Sequence, residues 1–176
     1  MGQAIRARPL GIAEYAPYGD VIVAGRADAP TRLVNQGTAR RTDHLAPVVN
    51  LRGQGAPLNV CVFRCAPWRD FPLALRLLER HPWSTQVFLP MGARRYLVVV
   101  ALGNEAPDLG TLAAFVAQGN QGLSYRPGVW HHPIVALDAE ADFASLVHED
   151  GSAADCQEVH FAPGEEPLVQ LPDEAG

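Results

Sequence analysis

Two imidazoles, an indole and a Pro-Gly turn are packed into nine consecutive residues, Tyr125-Arg126-Pro127-Gly128-Val129-Trp130-His131-His132-Pro133. Imidazoles exchange protons near neutral pH and ligate metals, so the stretch could carry acid–base or metal-assisted chemistry. Pro127 fixes its own φ and Gly128 tolerates positive φ, which makes a tight entry that delivers the next residues at a defined angle. Those residues read as a strand. Successive strand side chains point to opposite faces, so His131 and His132 cannot share a pocket unless a bulge intervenes. We expect His131 inward, as a general base, a metal ligand or a strand histidine bonded to backbone. His132 then takes the opposite face, in a structural role or near a subunit contact.

A second chemically loaded segment runs Phe71-Pro72-Leu73-Ala74-Leu75-Arg76-Leu77-Leu78-Glu79-Arg80-His81-Pro82. Phe71, Leu73, Leu75 and Leu77 alternate, and continuing that period places Glu79 and His81 on the same side. A helix is the competing reading, but Pro72 and Pro82 leave room for barely two turns, so a strand is favoured. An inward carboxylate must be paired, which makes Glu79 either functional or bonded to a neighbour such as Arg80 or His81. Gln86 follows in a strand-like run, where its amide offers both a donor and an acceptor. Arg41 could clamp a carboxylate through a bidentate contact, or belong with Arg40 to an ordinary solvated pair.

These residues must be positioned by a fold of many short strands. Beta-like runs recur at 21–24, 47–51, 58–65, 86–90, 96–102, 122–125, 130–137, 142–147 and 156–161, and the chain's 15 prolines and 16 glycines punctuate them. That pattern favours an antiparallel sandwich or barrel over alternating strand–helix units. One helix is expected, N-capped by Asp108, with Leu109, Leu112, Ala113 and Val116 as its apolar stripe and an end near Gly119. Residues 1–162 read as a single domain, and residues 163–176 as a loosely ordered acidic tail.

Composition narrows the function. All 14 basic residues are arginine, scattered through a chain of net charge −5, so no electrostatic footprint for nucleic acid is present. The absence of lysine removes Schiff-base chemistry. The longest apolar run, Tyr96 to Leu102, is far below the roughly 20 residues that span a bilayer, and the N-terminus carries no secretory pattern. A cytoplasmic location is the expectation. Cys61 and Cys65 share a parity, and small buried hydrophobes are the reading for them.

Taken in order, these motifs resemble the ureidoglycolate lyases, also called ureidoglycolate hydrolases. The resemblance rests on Glu79-Arg80-His81-Pro82, Gln86-Val87-Phe88-Leu89-Pro90-Met91, Val98-Val99-Val100-Ala101-Leu102-Gly103, Pro107-Asp108-Leu109 and Trp130-His131-His132-Pro133. It extends upstream to Tyr18-Gly19-Asp20-Val21-Ile22, Asn35, Gly37 and Arg41, and downstream to Asp142-Phe143 and Asp155-Cys156. The resemblance implies a mainly β fold, a cupin-like antiparallel β-barrel with one or two short helices. It implies a lyase that cleaves ureidoglycolate to glyoxylate and urea by acid–base retro-addition in allantoin (purine) degradation. An amidohydrolase releasing ammonia and a non-catalytic small-acid binder are the alternatives.

The same resemblance gives His131, His81 and Glu79 as catalytic candidates, and Arg41, Gln86, Asn35 and Trp130 as substrate-binding candidates. A divalent metal, nickel in that family, would draw on His81, Gln86 and His131. These two imidazoles and an amide oxygen are a poor set, so no cofactor is taken as required; Glu79 could add a further oxygen ligand. A homodimer is implied, with neither nucleic-acid nor membrane partners. The chain departs from the pattern after Asp142-Phe143, where Leu146-Val147-His148-Glu149-Asp150 and extra residues precede Asp155.

Overall fold

The computed structural model describes residues 2–172. Its centre is the apolar run read above: strand Arg95–Leu102 pairs antiparallel with Asp108–Gln118, Val98 opposite Phe115 and Val100 opposite Ala113. Alternation sends Tyr96, Val98, Val100, Phe115 and Ala117 to one side of this pair, and Leu97, Val99, Ala101, Ala114 and Val116 to the other. Both faces are therefore covered, which is why the run is apolar at nearly every position.

Asp108–Gln118 corrects the expected helix. Leu109, Leu112, Ala113 and Val116 do fit a helical stripe, but Phe115 and Ala117, outside that stripe, are both fully buried. A strand between two cores buries both sets, whereas a helix would leave one exposed. The helical turns lie elsewhere, at Ile12–Tyr15 and in short 3-10 turns at Asn35–Gly37 and Gly53–Gly55.

Two sheets face one another across the first core. One runs in the order Gln157–His160, Leu77–Arg80, Trp130–His131, Arg95–Leu102, Asp108–Gln118, Arg8–Pro9, with Val135–Ala136 also paired to Arg95–Leu102. The other runs Val21–Ile22, Gly122–Tyr125, Gln86–Met91, Ala141–His148, Leu58–Cys65. The architecture is mainly β with one short α-helix, as expected, although strand pairing does not join the two sheets into a closed barrel.

The tail is a second correction. Leu168–Gln170 pairs with Ala4–Arg6 and with Leu73–Ala74, and Val169 is fully buried in the second core. Val169 and the alternate residue Leu171 both pack into that core despite the acidic residues before them. Residues 173–176 of the expected tail lie outside the described residues.

Candidate active site

The turn before His131 forms as its residues dictate. Gly128 has φ 80°, and its amide donates to the carbonyl of His81 at 2.9 Å. That bond ties the two histidine segments together at the turn. Trp130–His131 then pairs with Leu77–Arg80, and His131 stands directly opposite Glu79. Opposed residues of an antiparallel pair share a face, so the carboxylate and the imidazole meet. Parity adds His81 on the same side, and one ligating atom from each of Glu79, His81 and His131 lies within 4.8 Å of the others.

The tautomers of both histidines follow from their partners. His131 Nδ1 is 3.1 Å from the carbonyl oxygen of Val129, and His81 Nδ1 is 2.9 Å from that of Asp155. A carbonyl oxygen only accepts, so each Nδ1 carries the hydrogen and each Nε2 is left with its lone pair. His131 Nε2 sits 3.3 Å from Glu79 Oε1, out of line for a hydrogen bond, and it has no bonded partner among the described residues. In the neutral forms of the two rings, a pair of Nε2 lone pairs therefore converges with the Glu79 carboxylate. This donor set fits a divalent cation held by Glu79, His81 and His131, with Glu79 in the position that the sequence reading gave to Gln86.

Charge in the cluster is uneven. Burial, reinforced by His131 and opposed by Glu79 and Glu149, pushes the His81 pKa down to about 4, so this ring is neutral at physiological pH. Burial alone would raise the Glu79 carboxyl, but its contact with His131 and the attraction of His131, His81 and His132 in their protonated forms outweigh that and hold it below its ordinary value. The thiol of Cys156 lies 4.0 Å from Glu79 Oε2, and burial, with Glu79 and Glu158 nearby, pushes its pKa up to about 11. It stands beside the carboxylate as a neutral thiol.

The segment that departs from the family pattern, between His148 and Cys156, buttresses His81. The Asp155 carboxylate accepts from the amides of Asp150 and Gly151 and from the Arg52 guanidinium, which holds the Asp155 backbone carbonyl against the His81 ring. The sequence reading missed this role because the contact is made by backbone and carries no residue-type signature.

Across the first core, the second sheet presents Gln86 and Tyr125, directly opposed in its register and both buried. The Tyr125 ring stacks on His131 at 4.0 Å between centroids, with 8° between the planes. Burial, with Tyr96 and Glu79 nearby, raises the phenol well above its ordinary pKa, so it remains a hydrogen-bond donor. Tyr125 was missed as a site residue. The available signal was its place in the strand-like run 122–125, in phase with inward Leu123.

The remaining candidates lie apart. Trp130 is buried in the second core, on the opposite side of its strand, with its indole donating to the Asn104 carbonyl. Alternation put His131 into the cluster, and the same alternation took Trp130 out. His132 faces a separate cavity of about 320 Å³ walled by Trp68, Pro72, Leu77 and Val135. Arg41 is exposed on the hairpin Thr31–Val34/Ala39–Thr42, paired with Asp43 at 2.5 Å, and lines a cavity with Val87, Leu89 and Leu146. Those three residues belong to the outer face of the sheet whose inner face carries Gln86, so within one chain Arg41 does not reach the cluster. Asn35 is exposed in the turn of the same hairpin.

The model of the ureidoglycolate lyase family matches residues 2–167. The ureidoglycolate lyase of Burkholderia cepacia is 42% identical over 88% of this chain and 85% of its own length. That of Rhizobium etli (strain CIAT 652) is 40% identical over 92% and 93%. Among solved structures, a dTDP-6-deoxy-D-glucose-3,5-epimerase of Legionella pneumophila covers 89% of each chain at 14% identity and a TM-score of 0.45, too loose an overlay to decide anything by itself.

Proposed function

The chain belongs to the ureidoglycolate lyase family, and from that premise we propose that it releases urea and glyoxylate from ureidoglycolate at the Glu79–His81–His131 cluster. The convergence of two Nε2 lone pairs and a carboxylate on one buried point carries this reading.

The substrate is a carbinolamine, with a hydroxyl and a urea nitrogen on one carbon beside a carboxylate. Cleavage moves the hydroxyl proton to a base, turns C–O into C=O, breaks C–N and returns a proton to the departing nitrogen. His131 Nε2 is the base. Proton uptake there makes an imidazolium beside Glu79 Oε1, whose negative charge stabilises it, and the same proton is then available to the urea nitrogen. Val129 holds the ring by its Nδ1–H throughout. Gln86 offers its unpartnered Oε1 to a ureido N–H.

An anionic substrate beside Glu79 requires positive charge. Arg41 and Arg52 are committed to carboxylates elsewhere, and Arg80 stacks on Trp130 in the other core. A divalent cation, nickel by family resemblance, would be held by Glu79, His81 and His131 and, when bound, would supply polarisation of the substrate's hydroxyl and carboxylate oxygens. Nε2 of His131 cannot hold an ion and a proton together, and metal depletion separates the two uses. Urea release that survives depletion leaves Nε2 to the proton, and release that returns only with nickel gives it to the ion.

We also propose a cytoplasmic homodimer. Cys61, Cys65 and Cys156 are free thiols, which suit a reducing compartment. No helix among the described residues is long and apolar enough to cross a membrane. Leu58, Val60 and Val62 form an exposed apolar row on an edge strand, a surface that suits a second copy.

Product analysis tests the function. Equimolar glyoxylate and urea support the lyase, ammonia would indicate an amidohydrolase, and no turnover would leave a binding protein.

A further inference from the structure

Buried phenols in this chain are satisfied, with one exception. Tyr15 donates to the carbonyl of Ser124 at 3.0 Å, Tyr18 to that of Thr111 at 2.6 Å, and Tyr96 to that of Gln121. Tyr125, the last of the four tyrosines, is 1% exposed, and its hydroxyl has no hydrogen-bond partner among the described residues. A buried donor left unpaired is disfavoured, and such groups are rare. The position of this one is specific. Its ring lies flat on His131, and its partner across the strand pair is Gln86, whose Oε1 is also buried and unpartnered. An unpaired donor and an unpaired acceptor thus belong to residues opposed across one strand pair, and the ring that carries the donor packs on a member of the cluster. A ureido group has the complementary pair, a carbonyl oxygen that accepts and an N–H that donates.

We propose that Tyr125 is a further catalytic residue of this site: its hydroxyl donates a hydrogen bond to the ureido carbonyl oxygen while Gln86 Oε1 accepts from a ureido N–H. The assignment rests on the ureidoglycolate reading above and deepens it. As the C–N bond breaks, its electron pair moves onto the urea nitrogen and is shared with the urea oxygen, which becomes a stronger acceptor. The Tyr125 bond therefore strengthens toward the transition state, and its loss falls on kcat more than on KM. The same pair distinguishes ureido compounds from simple 2-oxo acids, which have no N–H to give Gln86 Oε1 and no ureido carbonyl to receive from Tyr125.

Tyr125→Phe, made in the full chain, removes one oxygen and keeps the ring stacked on His131. Two ligands read the effect independently of turnover: oxalurate, which has the ureido group and the carboxylate, and glyoxylate, which has only the carboxylate end. We expect oxalurate to bind about tenfold more weakly and glyoxylate within about twofold of wild type. The kcat for urea release should fall about 10²-fold, and the melting temperature should hold or rise, since the hydroxyl has no structural partner to lose. Equal weakening of both ligands, or of neither, would overturn the assignment. A Tyr125→Phe protein that melts earlier or fails to fold would also overturn it, by giving the hydroxyl a structural role. Absence of urea release from the wild type would sink the lyase reading instead, and the oxalurate–glyoxylate difference would still report on Tyr125.

Discussion

Glu79 and Arg80 are neighbours on one strand, and His131 and Trp130 on the strand beside it, yet the two sides of this strand pair are built to opposite standards. Toward the second core, Arg80 stacks on Trp130 at 4.7 Å and donates to Gln157 and to the Asn104 carbonyl, which the Trp130 indole also reaches. Every buried polar group named there has a partner. Toward the first core, His131 Nε2, Tyr125 Oη and Gln86 Oε1 have none among the described residues. Paired polar groups hold a fold together, whereas unpaired ones cost stability and persist where a ligand completes them. The contrast separates the scaffold side from the side that carries the proposed site.

The sharpest test of that contrast lies in the two adjacent histidines. His131→Ala should lower kcat by about 10²–10⁴, the usual worth of a positioned proton-transfer group. His132→Ala, on the far side, should stay within about threefold, since no group that moves a proton is lost. Steady-state urea release from both variants decides it, and comparable losses would erase the distinction. Trp130→Ala reads the scaffold side. Truncating a buried indole should cost about 3–5 kcal/mol in denaturant unfolding, and a loss below about 1 kcal/mol would mean the second core does not depend on it.

Acid should open the site side first. The folded pKa of His81 is about 4 against an ordinary 6.5, so between those values the unfolded chain takes up a proton that the folded ring refuses. Stability is therefore complete above about pH 6.5 and drains as the pH falls toward 4, by on the order of 3 kcal/mol in metal-free protein. The lowered Glu79 carboxyl has the same sign at lower pH. Unfolding midpoints against pH measure this, and His81→Asn should flatten the slope. Nickel should act oppositely: at 100 times its dissociation constant it adds about 2.7 kcal/mol, read as a rise in melting temperature that Glu79→Gln weakens. The smallest effect is expected at Arg41→Ala, whose KM should shift less than about twofold because the hairpin stands on the outer face. A larger shift would mean that a second copy carries this arginine into the site.

Much of the Glu79–His81–His131 cluster was legible in alternation alone. A strand has a period of two, so once both segments are extended and free of a bulge, Glu79 and His81 share a side and His131 and His132 separate. Turn chemistry likewise set the Pro127-Gly128 entry, because few residues tolerate its φ angles. The stretch 108–118 was not decidable this way: an apolar run satisfies helical and strand templates together, and only the presence of a core on each side selects the strand. Leu168–Gln170 gained its structure from partners far away in sequence. Arg41 had suitable chemistry, yet nothing in the chain states which face of a sheet a hairpin will cover. Tyr125 and Gln86 came to the histidines because two sheets close over one core, and periodicity, which is local, fixes the face of a strand and leaves the choice of facing partner to tertiary packing.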